Sequence, residues 1–518
     1  MKKTILLSGM AALTFGCHTS KNVAESQPAP SSVHDVNFYA KSITAAELKT
    51  NLYTYASDDF EGRETGQPGQ KKAVEYLKQH YVNQDIPAAK TDGNYFQEVP
   101  LEIIKTPEVN LTVNSVKFDL LTDFISVLPS KSGAINTDDI VYAGYGIASD
   151  SYSDYNNLDV NGKVVLIKAG EPVKADGTYE ISGTKDASKW SNYRQEIALK
   201  RDLAKEKGAK AILFYAPKVY DMAANRYGKS RGRMSLQDKE ESTYYFIINT
   251  KLAEAILPEI ETENTPKHIS TKFNLEYTKI SEDFNSENVA AFIKGTEKPD
   301  EIIIVSAHLD HEGIKNGEIY NGADDDGSGT VAVMEIADAF KAAQKDGNGP
   351  KRSLLFLHVT GEEKGLLGSS YYADINPIKP LSNTIADLNI DMIGRTDPTR
   401  KSSNRNYLYL IGSDKLSTEL HDISEAVNKS CCNIEFDYTF NDDNDPNRFY
   451  YRSDHYNFAK NNIPVIFYFN GTHADYHKPT DTPDKIQYDL LENRTRLVFY
   501  TAWELANRAE PIKVDKAL

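Results

Sequence analysis

Continuous apolar runs in the second half of the chain are separated by polar, glycine-rich turns. The runs at residues 302–305 and 353–357 lack the alternation of a strand with one face in water, so they predict strands buried on both faces. Between them, apolar positions at helical spacing predict an amphipathic helix with a buried face formed by Val333, Ile336, Ala337 and Phe340. Buried strands that alternate with helices predict an α/β domain with an open sheet.

A polar cluster follows each of these predicted strands. The first strand leads to His308 and Asp310, and the second opens onto Glu362 and Glu363. Because strand side chains alternate, His308 and Asp310 share one face, where the carboxylate can fix the tautomer of a ligating imidazole. The carboxyl ends of neighbouring strands border the crevice in which open α/β sheets bind their ligands.

Further acidic and imidazole groups follow the same rule. Three consecutive carboxylates at residues 324–326 lie in a glycine-rich turn, which alone is more typical of a solvated loop or a Ca²⁺ site. Asp391 comes late in an apolar stretch, and residues 463–469 lead into a loop that carries His473 and His477. Mixed imidazole and carboxylate ligands suit Zn²⁺ better than Ca²⁺, and a carboxylate that bridges two ions is typical of two-metal hydrolases.

Five blocks in this order resemble the M28 family of di-zinc exopeptidases. They are His-Leu-Asp at residues 308–310, the acidic turn at 322–329, the Glu-Glu block at 361–369, Asn-Ile-Asp-Met at 389–392 and the block at 476–482. The likeness extends to residues 56–63 and 452–455, so it covers the catalytic parts of the chain. It implies the α/β zinc-exopeptidase (phosphorylase/hydrolase-like) fold, with a central mixed, mostly parallel sheet flanked by helices.

The resemblance also implies which side chains hold two Zn²⁺ ions per chain. The implied ligands are His308, Asp325 as the bridging carboxylate, Glu363, Asp391 and His477. Spacing alone does not choose Asp325 among the three consecutive carboxylates, and that choice comes from the family.

Other residues near these blocks have implied or open roles. Glu362 and Asp310 take the family's two catalytic positions, whereas His311 and His473 lie off its ligand positions. The family places groups that touch the substrate or stabilise the oxyanion beside residues 452–455. The candidates for that role, with purely structural use as an equal alternative, are Tyr450, Tyr451 and His455.

The resemblance implies an aminopeptidase that hydrolyses the peptide bond next to a free α-amino group. Glu362 is expected to act as the general base towards a metal-activated water. Three alternatives stay open: a single-zinc glutaminyl cyclase of the same fold, a non-catalytic receptor-type ectodomain that keeps the architecture for binding, and a carboxypeptidase. The complete ligand set favours a two-metal enzyme over the first two, and no basic cluster for a substrate carboxylate is evident in the sequence.

The first residues have the pattern of an export signal. Lys2 and Lys3 precede an apolar run too short to span a bilayer, which predicts a signal peptide over residues 1–17. Gly16-Cys17 resembles a bacterial lipoprotein signal in which Cys17 is acylated, although cleavage nearby by another peptidase is an alternative. Residues 18–40 are predicted to be a flexible tether. The protein is therefore expected in the cell envelope, on the periplasmic or outer-membrane face, or secreted.

Length and charge bound the remaining possibilities. A chain of 518 residues predicts at least two domains, and a net charge of −16 argues against nucleic-acid or anionic-membrane binding through a basic face. Any membrane contact is therefore expected through a lipid anchor, and the expected partner is a peptide substrate. We expect an M28 catalytic domain at 41–105 and 278–510, interrupted at 106–277 by a β-rich insert that resembles a protease-associated (PA) domain or is an ordinary β insertion.

Cysteine usage adds one further expectation. Cys431 and Cys432 are adjacent, and together with Cys17 they are too few for a disulfide framework. We expect free thiols here, with a vicinal disulfide as the alternative.

Overall fold

The structure is a computed structural model that describes residues 35–192, 195–228, 232–237 and 243–517. Its α-helices are α1 (Val36–Ala40), α2 (Ala45–Tyr55), α3 (Pro68–Asn83), α4 (Glu196–Glu206), α5 (Pro217–Gly228), α6 (Thr250–Ile256), α7 (Gly329–Lys345), α8 (Leu367–Ser370), α9 (Thr418–Cys431), α10 (His455–Ala459) and α11 (Tyr488–Asn507). Its strands are β1 (Phe96–Ile104), β2 (Glu108–Val113), β3 (Val116–Phe118), β4 (Phe124–Ser126), β5 (Gly133–Tyr142), β6 (Val164–Lys168), β7 (Ala211–Tyr215), β8 (Arg233–Leu236), β9 (Tyr244–Ile248), β10 (Lys267–Thr278), β11 (Ser281–Ile293), β12 (Lys298–His308), β13 (Gly313–Lys315), β14 (Glu318–Tyr320), β15 (Arg352–Val359), β16 (Thr384–Ile390), β17 (Tyr407–Ile411), β18 (Glu435–Asp437) and β19 (Val465–Phe469).

The domain predicted to be catalytic, named the catalytic domain for that reason, is built on a nine-stranded mixed sheet, the catalytic sheet. Its strand order is β18-β17-β19-β16-β12-β15-β11-β1-β8. The central strands β19, β16, β12 and β15 are mutually parallel, and antiparallel pairs flank them at β17 with β19 and at β11 with β15. This arrangement confirms the predicted α/β fold with a mixed central sheet. Parallel neighbours bring the carboxyl ends of four strands to one edge.

Helices cover the sheet and make the strands fully buried. All eight residues of β15 are buried, as expected for a strand covered on both faces. The predicted amphipathic helix is α7, and its predicted apolar face is buried against the sheet and against α11. Phe340 of α7 packs on Phe499 and Trp503 of α11, with ring centroids 4.9 and 5.6 Å apart.

A second sheet forms the body of the insert. Its eight strands follow the order β3-β2-β10-β5-β6-β7-β9-β4, and β5, β6, β7 and β9 are parallel. The insert has its own apolar core on both faces of this sheet. Strand β8 also lies within residues 106–277, but it pairs antiparallel with β1 in the catalytic sheet.

Two sequence-based expectations are corrected by the fold. The tether was predicted to run to residue 40, yet α1 begins at Val36 and the ring of Tyr39 is buried and stacked on Trp503, 5.8 Å away. Burial of this aromatic ring holds α1 against the catalytic domain.

The second correction concerns the adjacent cysteines. Cys431 and Cys432 form a vicinal disulfide rather than the favoured free thiols. Among the described residues, no helix is both long and apolar enough to cross a membrane.

A buried carboxyl group of α7 makes the stability of the fold sensitive to pH. Glu335 is 5% exposed, and its pKa is raised to about 8 by burial, reinforced by the nearby Asp338 and Glu47. The side-chain amide of Asn51 donates a hydrogen bond of 2.8 Å to it. Because the folded state holds the proton up to about pH 8, the contribution of Glu335 to stability falls as pH rises from the unfolded value near 4.5 to about 8.

Glu335→Gln should therefore raise the thermal unfolding temperature relative to wild type by an amount that grows between pH 5 and pH 8. The glutamine oxygen still accepts from Asn51 but carries no charge that must be neutralised on folding. Thermal unfolding at several pH values measures the difference, with the exposed Glu75→Gln as the control. A difference that shrinks as pH rises would contradict this reading of Glu335.

Candidate metal centre

The site begins at the end of β12, where His308 is the last strand residue. Its Nε2 atom lies 3.2 Å from Oδ1 of Asp325 and 3.6 Å from Oδ1 of Asp391. Its Nδ1 atom lies 3.0 Å from the backbone oxygen of Asp310. The tautomer is therefore set by a backbone carbonyl, and not by the carboxylate of Asp310 as the sequence pattern indicated. Donation from Nδ1 leaves a lone pair on Nε2 for a cation.

The carboxylate of Asp310 links this strand end to the next one. It is fully buried and accepts a hydrogen bond of 3.1 Å from the backbone N–H of Glu362. Its other oxygen accepts one of 2.7 Å from the hydroxyl of Thr65. Asp310 thus holds the start of the Glu362-Glu363 segment against β12.

The three consecutive carboxylates before α7 have different surroundings. Asp326 accepts from the backbone N–H groups of Gly329 and Met392, at 2.9 and 3.0 Å. Asp324 accepts from the N–H of Gly394 at 2.6 Å. Asp325 instead extends its two oxygens towards two histidines. These contacts support Asp325 as the bridging carboxylate on grounds that spacing could not supply.

Glycine at position 329 lets this turn close tightly. A Cβ atom there would lie 2.4 Å from Oδ2 of Asp326 and 2.7 Å from the backbone oxygen of Ile390. Because both contacts are shorter than any ordinary carbon–oxygen approach, a larger residue would push the acidic turn away from the end of β16.

Asp325 and Glu363 meet at a second group of imidazoles. His477 Nε2 lies 3.1 Å from Oδ2 of Asp325 and 3.2 Å from Oε2 of Glu363. His477 Nδ1 faces Glu312 at 3.6 Å, which is the carboxylate–histidine arrangement that orients metal-binding imidazoles. His311 Nδ1 lies 2.8 Å from Oε1 of Glu363.

Electrostatics keep these carboxylates ionised. Burial acts to raise the pKa of Asp325, but His308 and His477 hold it well below its usual value. Burial and Asp325 act to raise the pKa of Glu363, yet His311 and His477 lower it to about 2. The pKa of His477 is raised to about 10 because its two carboxylate contacts outweigh burial. These carboxylates are therefore ionised at neutral pH, and a cation that displaces the imidazole protons can take the place of those protons in balancing the carboxylate charge.

The donor set fits Zn²⁺. Ligand atoms of His308, Asp325 and Asp391 lie within 4.8 Å of one another, and so do those of His311, Asp325 and Glu363. Several of these buried atoms have no hydrogen-bond partner within the described part of the chain; they are His308 Nε2, His311 Nδ1, Asp325 Oδ2 and Glu363 Oε1. Buried polar atoms are normally paired, so unpaired ones that converge indicate a bound ion. Imidazole with carboxylate is the set that favours zinc over calcium.

Arg63 supports the loops beneath this crevice. Its fully buried guanidinium donates to the backbone oxygens of Leu309, Asn321 and Gly322 at 3.1, 2.6 and 3.0 Å. One side chain thereby joins the end of β12 to the start of the acidic turn. This contact gives a structural role to Arg63, the last residue of the block at residues 56–63.

The substrate-contact candidates were only partly identified from the sequence. The cavity beside Glu362 is small, about 30 Å³. Its lining residues are Asp325, Glu362, Asp391, Met392, Phe449, Arg452, Phe467, Phe469, Tyr476 and His477. Tyr450, Tyr451 and His455 are not among its lining residues. His455 is buried and stacked on Phe467, 4.8 Å away, with its pKa lowered to about 3 by burial. Cys17 lies outside the described residues.

Sequence reasoning missed two polar groups at this cavity. Tyr476 stacks on His477 with ring centroids 3.9 Å apart, and the exposed Arg452 donates to its hydroxyl at 3.5 Å. Their positions next to His477 and within residues 452–455 were the available signals. Sequence reasoning also left His311 off the ligand positions, although it lies within the donor cluster.

This geometry defines a metallopeptidase-type crevice, and a family comparison agrees. Residues 288–502 match the model of Peptidase family M28, and this span includes every predicted ligand from His308 to His477. Residues 288–502 are thus similar to Peptidase family M28, the family that the five sequence blocks resemble.

Individual relatives are similar over shorter stretches. Aminopeptidase YwaD of Bacillus subtilis is 36% identical over 101 residues, or 20% of each chain. The probable glutamate carboxypeptidase LAMP1 of Arabidopsis thaliana is 35% identical over 118 residues, which are 23% of this chain and 16% of that protein.

Among solved structures, an aminopeptidase from Aneurinibacillus sp. strain AM-1 has a TM-score of 0.48 at 20% identity, covering 93% of this chain and 98% of that one. The sequence matches to the first curated relatives span only 16% to 24% of the length of those relatives.

Asp481 is a positioning group whose removal should weaken metal binding. It is fully buried, and its Oδ2 accepts from the N–H groups of Asp324 and Asp325 at 2.9 and 3.2 Å. Loss of such an outer partner typically costs about 10- to 100-fold in metal affinity. We expect Asp481→Ala to lower zinc affinity by that amount, measured by competition with a chromogenic chelator. Asp481→Asn keeps an acceptor and should lose less.

The exposed Asp484→Ala, three residues further along, is the control and should bind zinc as wild type does. Unchanged affinity in a folded Asp481→Ala variant would refute the positioning role.

Proposed function

We propose that the protein is a metallo-aminopeptidase that binds two Zn²⁺ ions per chain and removes N-terminal residues from peptides. One observation carries the proposal: two imidazole–carboxylate donor groups share the buried carboxylate of Asp325. A shared carboxylate is the usual core of a two-metal hydrolase. Relatives of this family named as aminopeptidases support the reaction class.

The side chains have separable roles in this reaction. His308, Asp325, Glu363, Asp391 and His477 would hold the two Zn²⁺ ions, which would supply a water of lowered pKa and Lewis-acid polarisation of the substrate carbonyl. Glu362 lines the cavity beside the donor cluster without belonging to it. It accepts the proton of the attacking water and returns it to the leaving amine. Burial, reinforced by Glu363 and Asp391, raises the pKa of Glu362 well above its usual value, which favours a group that must hold a proton.

Tyr476 and Arg452 are the polar groups placed to contact the substrate. Both line the cavity with Glu362, and the Tyr476 hydroxyl receives its hydrogen bond from Arg452. A phenol fixed in this way can donate to the oxygen of a substrate carbonyl as negative charge develops on it. Asp310 acts through the Glu362 backbone, which it anchors to β12.

A carboxypeptidase is the second candidate. Arg452 is an exposed cation at the cavity and can pair with a substrate carboxylate, a feature that the sequence did not reveal. Relatives named as glutamate carboxypeptidases support this alternative. A single-zinc cyclase and a non-catalytic binding protein are less well supported, because the full set of acidic and imidazole donors is present.

A peptide panel tests the proposed function. Unblocked aminoacyl substrates, the same substrates with acetylated N-termini, and acetylated peptides with free C-termini are incubated with the zinc-loaded enzyme. An aminopeptidase cleaves only the first group. Cleavage of acetylated peptides from the carboxyl end would replace the proposal with the carboxypeptidase, and zinc analysis giving one ion per chain would favour the cyclase.

Glu362→Gln should separate chemistry from metal binding. The variant keeps the shape of the side chain but loses the base, and general acid–base catalysis contributes about 10² to 10⁴-fold. We expect turnover at least about 10²-fold lower with zinc content near that of wild type. Glu363→Gln should lose zinc as well, because it removes a ligand, and the exposed Glu318→Gln should behave as wild type. Full activity in Glu362→Gln, or inactivity caused only by metal loss, would overturn these roles.

We further propose that residues 106–277 form a PA-like insert that limits substrate size rather than taking part in chemistry. The support is that this stretch, apart from β8, folds on a sheet of its own and contributes no member of the metal-binding groups found among the described residues. The predicted boundary at residue 106 lies just before β2, and the one at residue 277 lies within the last two residues of β10.

The proposed location is the cell envelope, through a lipid on Cys17. The support is the Gly16-Cys17 motif after a short apolar run. Cys17→Ser should release the protein from membranes, since stable anchoring needs the acyl chains that this residue would carry. Fractionation with a carbonate wash measures the release, and Cys431→Ser is the control that leaves the anchor intact. A Cys17→Ser protein that stays with the membrane would rule out this anchor.

A further inference from the structure

His311 is held rigidly beside the candidate metal centre. Its backbone N–H donates to the carbonyl of Arg63 at 3.2 Å, and its ring is fully buried. Gly322 packs against the ring so closely that a Cβ atom there would lie 2.5 Å from the imidazole carbons. The φ angle of Gly322 is +55°, a conformation that also favours glycine. The position of the ring is therefore determined by backbone on two sides.

The ring nitrogens of His311 lack the partners that a structural histidine would have. Nδ1 lies 2.8 Å from Oε1 of Glu363 and 3.9 Å from Oδ2 of Asp325. Neither ring nitrogen has a hydrogen-bond partner among the described residues, and neither do those two carboxylate oxygens. The close approach to Glu363 is thus not aligned as a hydrogen bond. Three unpaired, buried polar atoms converge on one point.

Two other buried histidines show how a ring without a metal role is accommodated. The Nε2 atom of His358 is paired with the hydroxyl of Tyr81 at 2.7 Å. His455 has unpaired nitrogens, but it is stacked on Phe467 and burial lowers its pKa to about 3. His311 has neither arrangement and faces two ionised carboxylates instead. A buried imidazole nitrogen that lies beside unpaired carboxylate oxygens has the environment of a metal ligand.

We infer that His311 is a fourth protein ligand of the second metal position, together with Asp325, Glu363 and His477. The inference rests on the proposed two-metal function. It makes the two positions unequal, because His308, Asp325 and Asp391 supply only three ligands to the first. Four protein ligands are typical of tightly held zinc, whereas three leave an open position. The second position should therefore fill first.

Stepwise metal loading tests this inference without relying on activity. Apo-protein made by dialysis against a chelator is titrated with Co²⁺, whose visible absorption reports the number and type of ligands. We expect wild type to load in two steps. His311→Ala should weaken the tighter step by at least about 10-fold and change its visible spectrum, since loss of even an outer-shell partner costs that much.

His311→Gln separates a ligand from a positioning residue. If His311 only orients Glu363 through its N–H, the glutamine amide can replace it and should restore both affinity and spectrum, which would refute the inference. A ligand role predicts that glutamine fails to restore them. An unchanged first step in His311→Ala would equally overturn the assignment. Glutamine keeps most of the ring's volume, and circular dichroism of both apo-variants checks folding.

The control and the wild-type assays keep the two proposals distinguishable. His268→Ala removes an exposed histidine in the insert, which pairs with Asp139 at 3.1 Å, and should leave both steps unchanged. A wild type that binds two Co²⁺ ions but hydrolyses no unblocked peptide would end the proposed function while the titration still judges His311. A wild type that binds one ion, with affinity unaffected by His311→Ala, would end both.

Discussion

The catalytic domain depends on keeping several carboxylates ionised where water is largely excluded. Burial alone would protonate Asp325 and Glu363, and only the imidazoles of His308, His477 and His311 keep their pKa values low. The groups around the crevice contribute to keeping these carboxylates ionised. Backbone N–H groups bind one oxygen of Asp324 and one of Asp326, and Asp324 also faces His473 at 3.2 Å. Asp325 is the carboxylate of the turn that is directed at His308 and His477.

The sheet supplies the convergence that this balance requires. Four parallel strands end at one edge, and residues far apart in sequence meet there. Arg63 adds a constraint of its own, because its guanidinium donates to four backbone carbonyls, those of Tyr55, Leu309, Asn321 and Gly322. The acidic turn is therefore held from below by a cation that touches none of its carboxylates, which leaves the charge of the turn available above.

The parts of the fold that follow from local pattern were predictable, and the long-range contacts were not. Apolar runs and helical spacing predicted β12, β15 and α7, and the strand-end rule predicted that His308, Glu363 and Asp391 would meet. The role of His311 depends on the path of the loop after β12 relative to a strand some fifty residues later, which no local pattern encodes. Tyr450, Tyr451 and His455 were named because they are close in sequence to residues 452–455, whereas the residues that line the small cavity include Arg452 and Tyr476. The vicinal disulfide depends on oxidation, which adjacent cysteines alone do not decide.

Strand β8 of the insert pairs with β1 and thereby ties the insert to the catalytic sheet by backbone hydrogen bonds. Its four residues cover the outer side of β1, and Leu236 packs with Val99 and Leu101 beneath it. Without β8, the hydrogen-bonding groups of β1 would form an open edge, which invites pairing with another chain. Replacing the whole insert with a foreign loop would also remove β8. The edge of β1 in the catalytic domain would then be exposed and prone to aggregation. Any graft would have to carry a substitute for this short strand.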